Sequence, residues 1–428
     1  MTDIMSLGLT SVRAYTQGLA TISDNVANAQ TPGYARRSVR IEDATVIRYS
    51  DEWRNNEARI ASGLASQAST RLEWLDAAER SLDDSATGVG QLVGAVFNRA
   101  QELAADPNST ARRSAYLQSV DDAASAFRTT AEGLQDAANG IVGQAQQSVK
   151  TINTDLKGLL NVNQTLLATP QGTSGYASLL DQRDRLLSEV SQAMPVDISL
   201  DFNGVATVRV SGSGETLVNA DTASQVGVSA ATNGTLSFSV TAPDGSQSAF
   251  TPQGGTLAGL SSAATDIADK RSEVDALAAK FVDLINSTQA AGRKADGTAG
   301  GPLLALGAQG ALTLSALDVS VDDIAAGDAS SQNGNLLALD NARKSSGVES
   351  SWTALVADHA QKLSSAKLVK ESTQSRSAAA DEARDGLSGV DLDREAIELT
   401  RLQQSYQAAA QVIQVAREMM QSIMQIGG

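Results

Sequence analysis

Residues 110–168 read TARRSAYLQSVDDAASAFRTTAEGLQDAANGIVGQAQQSVKTINTDLKGLLNVNQTLLA. Within them Leu117, Ala124, Ala131, Ala138, Ala145, Ile152, Leu159 and Leu166 recur by sevens. Val120, Phe127, Leu134 and Ile141 hold the d-like positions until the register slips to Val149 and Leu156. A seven-residue apolar repeat is the seam of packed helices, and a slip predicts a local change of supercoil. As one helix the stretch is a rod of roughly 90 Å at ~1.5 Å per residue. Gly133, Gly140, Gly143 and Gly158 weaken it and would permit a bend. Asp106-Pro107-Asn108 separates it from what precedes, with Ser109 or Thr110 as its cap.

Toward the N-terminus, Leu75, Leu82, Val89, Val96 and Leu103 are again spaced by sevens and predict a helix ending at Asp106. Residues 35–63 are mixed. Before them, Val12, Tyr15, Leu19, Ile22, Val26 and Ala29 form one apolar stripe with few charges nearby, so that helix wants a partner. Toward the C-terminus a shorter helix is predicted over 178–193, stopped by Pro195. The period then changes to two in Val196, Ile198, Leu200 and Phe202, followed by Asn203-Gly204 and by Ala206, Val208 and Val210. Asn-Gly predicts a hairpin on a type I′ turn, and Asn233-Gly234 a second; Pro243-Asp244-Gly245 is a further turn. Ile267, Val274 and Phe281 restore the helical period, residues 291–350 read as loop, and another helix spans about 352–385 before a joint at Gly386–Gly389. Last come Leu399, Leu402, Tyr406, Ala409, Ile413, Ala416, Met420 and Ile423, with no charge between Arg401 and Arg417.

The expected fold is therefore α+β, mainly α. A long antiparallel helical bundle or coiled coil is built from both chain ends, with a small inserted antiparallel β domain. The regions are 1–34 with 390–428 (terminal helices), 35–194 with 256–389 (helical body) and 195–255 (the β insertion). The assembly surface is expected at Val12, Leu19, Ile22, Val26, Leu399, Leu402, Tyr406, Ile413, Met420 and Ile423.

Composition narrows the function. Among 428 residues there is no cysteine and one histidine, His359, which removes thiol nucleophiles, disulfides and histidine pairs. A net charge of −16 opposes binding to phosphate backbones, so no nucleic-acid partner is expected. No stretch approaches the ~18–20 apolar residues of a membrane helix, so no membrane insertion is expected. The first eight residues have neither a basic region nor a continuous apolar run, so no Sec-type signal is expected. His359 sits in the register of Trp352, Val356 and Leu363 and reads as a bundle residue. Asp181, Asp184 and Glu189 alternate with Arg183 and Arg185 and read as ion pairs on one helix face. The Gly212–Glu215 and Gly254-Gly255 stretches lack the Gly-Lys-Ser/Thr of a phosphate loop. Asp391, Asp393, Glu395 and Glu398 suit a helix start better than a calcium loop. No catalytic residue, cofactor or metal is assigned, and an enzyme is not expected.

One motif stands out: Asn25, Ala27, Asn28, Thr31, Pro32, Gly33 and Tyr34 close the first helix. Pro32-Gly33 suits a type II turn, and Asn25 and Asn28 can bond exposed backbone there. This run resembles the N-terminal signature of flagellar rod, hook and hook-associated proteins. Gly389-Val-Asp-Leu-Asp-Arg-Glu395 and Leu402-Gln-Gln-Ser-Tyr-Gln-Ala408 resemble the family's C-terminal signature. The interior, with Leu180-Asp-Gln-Arg-Asp-Arg-Leu-Leu187, Phe202-Asn-Gly-Val205 and Leu217-Val218, is similar to the hook-associated members that join hook to filament. It departs from them at Ser287-Thr288-Gln289, where the family usually has a histidine, at Arg394 and in its short β insertion.

The resemblance implies a structural subunit that self-assembles through its terminal helices, without enzymatic activity. It implies copies of the same chain, hook protein, a filament-side junction protein, an export chaperone and the flagellar type III export apparatus as partners. It also implies an extracellular place on the flagellum, reached without a cleaved signal peptide. The alternatives are a hook, rod or filament subunit, or a secreted coiled-coil effector or adhesin with the β insertion as its head.

Overall fold

The structure, a computed structural model, describes residues 2–31, 33–82 and 85–426. The chain begins with α1 (Thr2–Ala27) and a hairpin of β1 (Arg37–Arg40) and β2 (Thr45–Arg48). Next come α2 (Glu52–Ser81), α3 (Val89–Ala105), α4 (Thr110–Ala168) and α5 (Ser174–Ala193). Six strands follow: β3 (Val196–Leu200), β4 (Ala206–Val210), β5 (Thr216–Val218), β6 (Gln225–Ala230), β7 (Leu236–Thr241) and β8 (Gln247–Phe250). After α6 (Gly255–Ala291) come the short strands β9 (Leu304–Ala305) and β10 (Ser315–Ala316), then α7 (Gly334–Ser346), α8 (Val348–Ser388) and α9 (Leu392–Ile426). The fold is mainly α with small antiparallel sheets.

The heptad positions of α4 explain its length. Ser109 caps it by accepting from the Arg112 amide, and every repeat position from Val120 to Leu166 named above is buried. The four glycines do not bend it out of register. Three sit where a neighbour presses close: Ser81 at Gly133, the Trp74 ring at Gly140 and Leu186 at Gly158. The slip after Ala145 has a definite cause. Up to Ala145 the helix contributes to a core shared with α3, α6, α7 and α8; from Val149 it joins a second core with α5 and the strands. In the first core Phe127 stacks on Phe281 (5.7 Å) and meets the edge of Trp352 (6.4 Å), joining α4, α6 and α8.

The β segment forms two three-stranded antiparallel sheets, β3-β4-β5 and β6-β7-β8. Val208, Leu217 and Phe238 share one core with Ile152, Leu156 and Leu187, so the sheets lie directly on α4 and α5. The hairpins fall where Asn-Gly predicts them, but not on type I′ turns. Only the glycines, Gly204 and Gly234, adopt positive φ there (74° and 93°). Each loop has an i→i+3 bond into the glycine (Gly204 N to Asp201 O, Gly234 N to Ala231 O). This is the longer loop built on a type I turn, with the glycine in the left-handed position. The Ala242–Ser246 loop repeats it with Gly245 at 86°.

Four helix boundaries differ from the periodicity. The Leu75–Leu103 repeat is two helices, α2 and α3, divided by the turns around Ser85–Gly88, though Leu75, Leu82, Val89, Val96 and Leu103 are all buried. α5 starts at Ser174 because Thr173 accepts from the Tyr176 amide. The 291–350 segment holds α7, which buries only Asn335, Leu336 and Leu339 and so has little periodic signal. α8 passes through Gly386 and ends at Ser388, leaving Gly389 as the joint.

Candidate assembly interface

α1 and α9 pack antiparallel, Gly8 against Ile413 and Gly18 against Leu402. A Cβ at either glycine would come within 2.7 Å of the facing side chain, so the approach depends on small residues. Ala14, Ile22, Leu402 and Ala416 are buried in this seam. Of the other residues expected there, Val12, Leu19, Leu399, Ile413 and Met420 are half-buried, while the Ile423 side chain lies outside the described residues. Val26 (48% exposed) and Tyr406 (38%) are not enclosed. Two helices cover only a narrow strip of each other, whereas both stripes are wide. Leu9, Leu392, Ile397, Val412, Val415 and Met419 are the uncovered remainder. The small-residue spacing Gly8, Ala14, Gly18 was the sequence signal for the seam that the apolar stripe concealed.

Where the pair meets the body, the family motif makes a buried polar cluster. Asn25, fully buried, accepts from the Arg37 amide (3.0 Å) and donates to the Arg37 carbonyl (2.8 Å) and to Glu395 Oε2 (2.9 Å). The Tyr34 hydroxyl donates to Asn25 Oδ1 (2.8 Å), and burial pushes that phenol up to about 12. Arg36 Nε donates to Glu395 Oε1 at 2.6 Å. Asn28 bonds the Asp24 carbonyl, and Thr31 bonds Asn28 Oδ1. Tyr34 N bonds Thr31 O across Gly33, whose φ of 79° fits the third position of a type II turn. Pro32 itself lies outside the described residues. Ala27 is exposed. Asp391 caps α9 by accepting from the Asp393 and Arg394 amides, as acids at a helix start do, but Glu395 turns inward and is fully buried.

A second cluster lies beside the first. Asp181 pairs away from its own helix, while Asp184 pairs both along it, with Arg183, and away from it. Asp181 takes Arg37 and Arg48 Nε (2.7 Å); Asp184 takes Arg48 Nη2 (2.7 Å), Arg59 Nη2 (3.4 Å) and Arg183 Nη2 (2.7 Å). Only Arg185 and Glu189 make the expected surface pair, at 3.2 Å. Burial alone would raise the Asp184 carboxyl, but Arg183, Arg48 and Arg59 outweigh it and hold it below the usual carboxylate range. Apart from Arg183, the partners come from β1, β2 and α2, which no single-helix periodicity could reveal. This arrangement fastens α5 to the hairpin and to α2.

A family model described as the flagellar hook-associated protein FlgK helical domain matches residues 75–304, more than half of the chain. The chain belongs to that family. A second model, the flagellar basal body rod FlgEFG protein C-terminal, matches residues 387–426, which contain Glu395 and all of α9. Flagellar hook-associated protein 1 of Salmonella typhimurium (strain LT2) is 25% identical over 333 residues, 72% of this chain and 60% of that protein. The Escherichia coli K12 protein of the same name is 24% identical over 332 residues, with the same coverage. That of Bacillus subtilis 168 is 23% identical over 227 residues, 46% of this chain and 45% of that protein. The chain thus spans about 60% of the length of the first two relatives. The flagellar hook junction protein FlgK from Burkholderia pseudomallei shares the fold with a TM-score of 0.53 and 22% identity, over 59% of this chain and 47% of that one.

The family to which the chain belongs is a flagellar structural one. Among the described residues no group of His, Asp and Glu could hold a metal ion, and no helix is long and apolar enough to cross a membrane. His359 is a buried bundle residue, its Nε2 3.1 Å from the Leu75 carbonyl, and burial lowers its pKa.

Proposed function

We propose that the chain is a structural, non-enzymatic subunit of the extracellular flagellum that joins hook to filament. The observation that carries this reading is the uncovered apolar face of α9 formed by Val412, Val415 and Met419 at helical spacing, next to a stretch that carries no charge from Gln403 to Ala416. Copies of the same chain would cover that face, at about 1 kcal/mol per half-exposed valine or leucine before ordering costs. Hook protein on one side and a filament-side junction protein on the other complete the layer. Export through the type III apparatus without a cleaved signal, with a chaperone on the last helix, belongs to the same reading. So does the division into terminal helices (1–34 with 390–428), body (35–194 with 256–389) and β insertion (195–255).

Gene deletion with complementation tests it. Deletion should leave hooks without filaments and release unpolymerised filament subunits into the medium. Val412→Asp with Val415→Asp should fail to restore filaments, while the purified variant keeps the parent's helix content. Normal filaments after deletion would refute the reading, and loss of hooks would instead indicate a rod or hook subunit. Detectable muropeptide release by the purified chain would overturn the non-enzymatic assignment.

A further inference from the structure

The α1–α9 seam is poor in features that choose an alignment. Gly8, Ala14 and Gly18 on one side meet an α9 surface that repeats by sevens: Leu402 then Ala409, Ile413 then Met420. Sliding by one heptad, about 10 Å at ~1.5 Å per residue, exchanges one apolar contact for another of the same kind. The connections differ in what they permit. Residues 389–391 tie α9 closely to α8, and the Arg36 amide bonds the Ser388 carbonyl at 2.8 Å. The 28–36 segment before α1's partner strand is longer, and α1 meets the body through few polar contacts, Asn25 on the Arg37 backbone and Gln17 on Ser174 among them.

We propose that Asn25, Arg36 and Glu395 form a register lock that selects one alignment of α1 on α9. Only in this alignment does the Asn25 amide reach Glu395 Oε2 (2.9 Å) while Arg36 Nε reaches Oε1 (2.6 Å). One heptad away, Asn25 faces Leu402 or the end of α8, and its fully buried amide loses Glu395 Oε2 and the Arg37 backbone, leaving Glu395 with Arg36 alone. A single buried polar group at a helix seam is known to fix register in this way, at a cost in stability. The selected register places Leu9 level with Val412 and Val415, because Gly8 then faces Ile413. The lock therefore decides which outward residues of the two helices stand at the same height in the pair. These three are positioning residues, and their assembly role rests on the reading given under Proposed function.

The chain contains no cysteine, so engineered pairs report the alignment directly. In the purified full chain, Gly18→Cys with Leu402→Cys should form a disulfide on oxidation, and Gly18→Cys with Ala409→Cys should not. Replacing the lock by Asn25→Leu, Arg36→Met and Glu395→Leu should keep helix content and raise the 18–409 product at least about tenfold. Glu395→Gln, which keeps an acceptor for Asn25, should preserve the 18–402 preference. An 18–402 product that stays exclusive in the triple variant overturns the lock. So does loss of both products, because the three residues would then hold the helices together without choosing their alignment. An 18–409 product in the unaltered background overturns it as well. Cross-linking of the purified chain is independent of motility, so failure of the lock and failure of the junction reading are separately visible.

Discussion

Asp184→Ala removes the one carboxylate on which three guanidinium groups converge. The parent group is 6% exposed and lies 2.7 Å from Arg48 Nη2, 2.7 Å from Arg183 Nη2 and 3.4 Å from Arg59 Nη2. Breaking a buried pair by deleting one partner costs about 3–5 kcal/mol, because a charge is left uncompensated. Here each cation keeps a second acceptor: Arg48 keeps Asp181, Arg59 keeps Glu52, and Arg183 keeps the Gly204 carbonyl, all at 2.7 Å. The loss should therefore fall at the lower end, about 3 kcal/mol, and Asp184→Asn should lose about 1.5–3 kcal/mol. Urea unfolding followed by circular dichroism measures both. The pH dependence adds a sign. A carboxyl held below its ordinary value stabilises fully above about pH 3.9 and loses that contribution as pH falls toward its native value, where the folded state must take up the proton. Parent and Asp184→Ala should converge in acid. An Asp184→Ala chain within about 0.5 kcal/mol of the parent at neutral pH would refute the view that this cluster fastens α5 to the rest of the body.

His359 gives a slope of the same sign at higher pH. Its native pKa is lowered, chiefly by burial, so below about pH 6.5 the unfolded chain binds a proton that the native chain does not, and stability declines as pH falls. Urea midpoints at about pH 7.5 and 5.5 should differ by less in His359→Gln than in the parent. Two glycines of α4 should respond with opposite signs in thermal unfolding. Gly143→Ala meets no atom within 4 Å and should stabilise by about 0.5–1 kcal/mol, whereas Gly140→Ala would enter the Trp74 ring and should cost about 1–3 kcal/mol.

The frame was legible because it is periodic. The α4 heptads, down to the slip after Ala145, correspond to the buried positions, and the slip marks where the helix changes core. The Asn-Gly pairs located the hairpins, although their turn type depends on loop length and not on the dipeptide alone. What stayed hidden has one physical character: contacts between residues far apart in sequence, made by side chains whose local pattern says something else. Glu395 sits among acids at a helix start, and nothing nearby indicates that it turns inward to Asn25. Asp181 and Asp184 alternate with arginines at the spacing of a surface pair, yet both are turned inward, and besides Arg183 they meet Arg37, Arg48 and Arg59 from other elements. The stripe on α1 predicted a partner helix but not which residues it would cover. That choice falls to Gly8, Ala14 and Gly18, because backbone approach and not side-chain size decides it.

The two kinds of cohesion are placed differently, and the placement has a consequence. The body is held by aromatic and aliphatic side chains, Phe127, Phe281 and Trp352 among them, whose stabilisation is non-directional and tolerates small shifts. The connection between body and terminal pair is held by directional bonds among Asn25, Tyr34, Arg36, the Arg37 backbone and Glu395. A network of buried charges is costly when only partly made, so intermediate geometries are disfavoured more steeply than in an apolar contact. The terminal pair should accordingly meet the body at one angle or detach from it. A subunit that must present the same outward face in every copy of a layer gains from such a joint, because small variations in angle would otherwise accumulate from copy to copy.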